Sequence, residues 1–101
     1  MTFAELIAAM QARLGRHVKW SHEKHGRIER TSEGVLSTGL GRTTDAIPDE
    51  LGRIGFWVPY PAIGFMLDPR IVTGAREDEG LLRVEMVEGL AFLIETVEPA
   101  T

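Results

Sequence analysis

The chain contains no cysteine, which excludes disulfides, thiolate metal ligands and a cysteine nucleophile. It also has no long hydrophobic run. The longest apolar stretches, Ile54 to Val58 and Leu90 to Ile94, fall far short of the ~20 residues needed to span a membrane. The opening residues include Glu5 and lack a basic start followed by an apolar stretch, so no signal peptide is expected. These absences lead to the expectation of a soluble, cytoplasmic protein that makes no membrane contact. Positive charge is in the minority: 11 Lys and Arg against 15 Asp and Glu give a formal net charge of -4, which opposes general attraction to phosphate backbones.

What remains is ordinary globular material. Hydrophobic residues make up 44% and charged residues 26% of 101 residues, enough for one core and too little for two. Residues 1–101 therefore read as a single domain, with no repeat, low-complexity tract or linker. Charge is unevenly spread. Arg13, Arg16, Lys19, Lys24, Arg27 and Arg30 make the first third basic, and Glu77, Asp78, Glu79, Glu85, Glu88, Glu95 and Glu98 make the last part acidic. If the two segments pair in the fold, the asymmetry is internal complementarity rather than the mark of a partner.

The clearest local pattern is at the start. Thr2-Phe3-Ala4-Glu5 has capping-box spacing, and Met1 and Leu6 occupy the positions of a hydrophobic staple. Phe3, Leu6, Ile7, Met10 and Leu14 form one apolar stripe at helical spacing, and Gly15 supplies a left-handed stop. The pattern predicts a helix over residues 3–14. Beyond it, His17 to Ser21 alternates as a half-buried strand, and Ser21 to Ser32 reads as a polar loop or a long exposed hairpin. Val35 to Thr38 is β-prone, and Pro48 is placed to open a single helical turn. Ile54 to Val58 and Ala62 to Leu67 read as strands, with an Asp68-Pro69 turn after them and a charged loop over residues 74–80. Leu81 to Val87 and Leu90 to Val97 flank Glu88-Gly89 as a hairpin, a register that sets Val84 and Met86 against Leu93 and Ala91. The expected fold is α+β: the helix, then a mostly antiparallel sheet of about six short strands over residues 16–98, open to curling into a small barrel.

Chemistry is thinly represented. His17, His22 and His25 fall within nine residues, but they lack the HExxH spacing and have one acid, Glu23, nearby, so no metal site is expected. Gly39-Leu40-Gly41-Arg42-Thr43-Thr44 lacks both the third glycine of a dinucleotide fingerprint and the Gly-Lys-Ser/Thr ending of a P-loop, and no cofactor is expected. No nucleophile, base and orienting group come together, so an enzyme ranks third among the functional readings. Second is a nucleic-acid-binding barrel that uses Arg16, Lys19, Lys24 and Arg27. First is a non-enzymatic module acting through protein–protein contact or as a homodimer. It rests on Phe56-Trp57-Val58-Pro59-Tyr60-Pro61-Ala62-Ile63-Gly64-Phe65, which holds four of the seven aromatics. Strand alternation places Phe56 and Val58 on one face and Trp57 on the other, so a partner surface of Phe56, Trp57, Tyr60 and Ile63 is expected unless the helix covers it.

Overall fold

The capping box forms as its spacing requires. The Glu5 amide donates to Thr2 Oγ1 (3.1 Å), and the Thr2 amide donates to Glu5 Oε1 (2.9 Å). Helix α1 runs over Phe3–Gln11, shorter than the stripe suggests. Its last turn tightens as the Arg13 and Leu14 amides reach back three residues to Met10 and Gln11, and Gly15 (φ 80°) then ends it. Leu6 and Met10 are fully buried, and Leu14 still packs against the core from the turn.

The computed structural model describes residues 1–38, 48–59 and 62–97. Within these, the helix is followed by β1 (His17–Lys24), β2 (Arg27–Val35), β3 (Ser37–Thr38), β4 (Ile54–Pro59), β5 (Ala62–Leu67), β6 (Val72–Asp78), β7 (Leu81–Met86) and β8 (Leu90–Thr96). They form two antiparallel sheets. The larger has the order β2-β1-β8-β7-β6, and the smaller has the order β3-β4-β5. The fold is thus α+β with a helix leading into antiparallel sheets. Among the described residues the sheets do not close into a barrel.

Of the two readings of the polar stretch from Ser21 onward, the long exposed hairpin is the one that forms, as β1–β2, turning at His25 (φ 49°) and Gly26 (φ 82°). Two other local readings need correction. Residues 74–80 are strand for most of their length, not loop. Glu79 and Gly80 close a second tight turn, and the charges of β6 sit on an edge strand, where water solvates them. In the last hairpin the connection is three residues, Val87–Gly89, with Glu88 at φ 64°. That extra residue pairs Val84 with Phe92 rather than Leu93, and a one-residue slip exchanges the two faces of a strand. After Pro48 the chain makes one hydrogen-bonded turn, with the Gly52 amide donating to the Asp49 carbonyl (2.9 Å), and Asp49 Oδ1 reinforces it by accepting from the Leu51 and Arg53 amides. The Gly39 to Thr44 segment lies outside the described residues.

The inward faces of both sheets and the helix share one core. Trp20 of β1 meets Phe65 of β5 edge-on, with ring centroids 3.7 Å apart, and Phe65 meets Phe92 of β8 at 4.1 Å. Leu6, Met10, Leu36, Phe56, Leu67, Leu82 and Ile94 fill the remainder. The chain passes from the larger sheet to the smaller through Leu36. Its amide donates to the Arg16 carbonyl and its carbonyl accepts from Gly15, which ties the crossing to the end of the helix.

Candidate interaction surface

The smaller sheet hangs on one hairpin. Pro59 pairs with Ala62, Trp57 with Gly64 and Gly55 with Met66, so these six residues point outward. Ile54, Phe56, Val58, Ile63 and Leu67 are buried on the other side, and Phe65 is half-buried there. The helix stripe joins that inward side, with Leu6 and Met10 in one cluster with Phe56, and leaves Trp57 uncovered.

Of the four residues expected at a partner surface, the structure keeps Trp57 outside, 38% exposed. Phe56 and Ile63 are core residues, because each shares the parity of the inward set. Tyr60 lies outside the described residues. Met66, 51% exposed, is an outward residue that the sequence reading missed. The signal for it was present. A two-residue link between Pro59 and Ala62 sets Met66 on the side of Trp57 and turns Ile63 inward. The indole leans across Gly64, where an added Cβ would come within 3.4 Å of Trp57 Cδ1.

What distinguishes this face is its composition. No residue from 54 to 67 is charged. Several exposed apolar side chains elsewhere stand among charges: Ile28 between Arg27 and Glu29, Leu51 after Glu50, and Leu81 opposite Glu95 and Asp78; Val35, Ile71, Val87 and Leu90 are exposed as well. The outward face of the larger sheet is charged throughout its middle. Arg83 Nη2 lies 2.7 Å from Glu23 Oε2 and Arg83 Nε lies 3.1 Å from Glu85 Oε1, spanning three strands above the small side chain of Ala91.

The four cations of the nucleic-acid reading are dispersed. Arg16 precedes β1, and Lys24 ends it some eight residues on, about 26 Å away along an extended strand. Lys19 stands between Glu33 of β2 and Glu95 of β8 in the register, and Arg27 pairs with Lys24 at the far hairpin tip. Arg13 is buried and bonds Glu77 Oε1 (3.0 Å) and the Ala9 carbonyl (2.8 Å).

The three histidines occupy separate environments. His17 contacts Glu33 (3.2 Å), and His25 lies at the turn against Gly89. His22 packs on Phe92 with ring centroids 4.5 Å apart. Burial, then the nearby Arg30, lower its pKa, with Glu29 acting weakly against them. Among the described residues no three His, Asp or Glu side chains are grouped to hold a metal ion, and no helix is long and apolar enough to cross a membrane.

No family model matches the chain, and neither the curated proteins nor the solved structures contain a match to it.

Proposed function

We propose that the protein is a non-enzymatic binding module that acts through protein–protein contact on the outward face of the smaller sheet. The observation that carries this reading is the uncharged, exposed pair Trp57 and Met66 on a face the helix does not cover. Apolar surface that a fold leaves uncovered costs solvation free energy, which a partner recovers, and exposed aromatic and methionine side chains are enriched at such contacts. Trp57 is the expected anchor: a large, stiff side chain supported from beneath by Gly64.

The experiment compares wild type with Trp57→Ala and Met66→Ala in sedimentation and in capture of protein partners. Both variants should weaken the same association while keeping the wild-type circular dichroism spectrum. Unchanged oligomeric state together with unchanged capture in both variants would end this reading.

A further inference from the structure

The smaller sheet exposes an edge as well as a face. β5 is its terminal strand, and among the described residues no strand pairs with its second side. In an antiparallel ladder the peptide groups of alternate residues point to opposite edges, so β5 offers this edge a row of unpaired donors and acceptors. Proteins usually protect such edges with charge. The free edge of β2 carries Arg27, Glu29, Arg30 and Glu33, and that of β6 carries Arg76, Glu77 and Asp78. β5, Ala62–Leu67, carries none.

Resting on the binding role proposed above, we propose that the partner at this edge is a second copy of the chain, joined antiparallel through β5. Its two-fold axis passes by Phe65. A strand added here must be apolar on the inward side, uncharged on the outward side and able to run antiparallel. Ala62–Leu67 meets all three conditions itself. Pairing must also keep inward residues inward, and a two-fold at Phe65 does so by setting Ile63 opposite the second copy's Leu67 and Gly64 opposite its Met66.

That register uses the surface features already described. Gly64 has no side chain, so the second copy's Met66 lies across it and meets the indole of Trp57, which already leans over Gly64. The backbones of β4 and the added strand are about 10 Å apart. An indole and a methionine side chain close that gap between them, in a sulfur–aromatic contact. The symmetry repeats the contact, so Trp57 and Met66 of each copy are both covered. The result is a continuous six-stranded sheet.

The test is sedimentation equilibrium across micromolar concentrations, combined with amide hydrogen exchange of wild type, Met66→Lys, Gly64→Ala and the control Leu51→Lys. Wild type should dimerise, and amides within 62–67 should exchange more slowly in the dimer than on dilution. Met66→Lys and Gly64→Ala should each raise the dimer dissociation constant at least about tenfold, by a buried charge and by a methyl group in the methionine's place respectively. Leu51→Lys should change nothing. Gly64→Ala keeps the test decisive if Met66→Lys does not fold. A monomer at every concentration overturns the pairing, as does a dimer whose concentration-dependent protection falls on β2 or β6. A monomer that still captures another protein through Trp57 overturns the pairing alone and leaves the binding role standing.

Discussion

Gly34 is the position where one added methyl group should report on how the two sheets meet. It lies in β2 with φ at 145°, a conformation that L side chains rarely adopt. A Cβ there would stand against Pro59 Cδ and, at 2.5 Å, against Cγ. The obstacle is a pyrrolidine ring at the end of β4, fixed to its own backbone, so it cannot swing aside as a lysine tip would. Two costs add in Gly34→Ala: about 1–3 kcal/mol for backbone strain and about 1–3 kcal/mol for overpacking. The expected loss is about 2–6 kcal/mol, a large share of the roughly 5–15 kcal/mol that holds a domain together. Urea unfolding followed by circular dichroism reads it directly. With a denaturant slope of about 2 kcal/mol/M, the midpoint should fall by about 1–3 M. Pro59→Ala in the same chain separates the two terms. It removes the ring atoms in the way and should restore about 1–2 kcal/mol of the loss, leaving the backbone strain. A Gly34→Ala protein within about 0.5 kcal/mol of wild type would refute the close crossing of β2 and β4. A double variant with no recovery would refute Pro59 as its cause.

Thr2→Ala removes the helix cap and should cost about 1 kcal/mol in the same urea assay, whereas Thr2→Ser should retain most of it. Arg13 is buried and bonded to Glu77, so Glu77→Gln, which leaves a buried guanidinium without its counter-charge, should cost about 1–2 kcal/mol. Asp68 accepts from the Arg70 side chain, its strongest influence, and from the Arg70 amide, which take its pKa from 3.8 to about 2. Its carboxylate therefore adds stability above pH 3.8 that is lost as pH falls towards 2, and thermal melts should show a shallower acid limb in Asp68→Asn. His22 has a pKa lowered from 6.5, so the neutral ring favours the fold above that pH and stability declines as pH falls through the lowered value. An NMR titration should find the His22 midpoint below 6.5, and His22→Phe should flatten the pH dependence of melting there.

The parts of the fold legible in the sequence are those where local chemistry decides. The capping box needs two side chains three residues apart, and the strands at Ile54 and Ala62 are bounded by Pro59 and the Asp68-Pro69 turn. The parts that were not legible depend on how strands pair. The charges of β6 read as loop because edge position is a property of the sheet rather than of the strand. The last hairpin slipped by one residue because Glu88 adopts a left-handed conformation, uncommon for that residue type, and so lengthens the turn. The surface followed the same division. Alternation alone put Trp57 opposite Phe56, but assigning Ile63 and Met66 to their faces required the register across the β4–β5 turn.

The charge asymmetry of the chain takes on a different meaning once the strands are placed. β1 lies beside β8, so Lys19 of the basic segment stands opposite Glu95 of the acidic one, and Arg13 reaches Glu77. The Arg13–Glu77 ion pair and the facing of Lys19 and Glu95 use part of the imbalance to join the first and last thirds of the chain, whose pairing is otherwise long in sequence and costly in loop entropy. A basic patch meant for phosphate would need its cations on one face with acids kept away, and here the register interleaves them. The reverse holds for residues 54–67. Nothing inside the fold requires that stretch to be free of charge on its outward side, because Gly55, Trp57 and Met66 face water and an ordinary solvated sheet would carry lysine or glutamate there. The inward residues are apolar because the core needs them. The outward ones are apolar with no such need in the isolated chain, and that surplus is the physical reason to look for function on the smaller sheet.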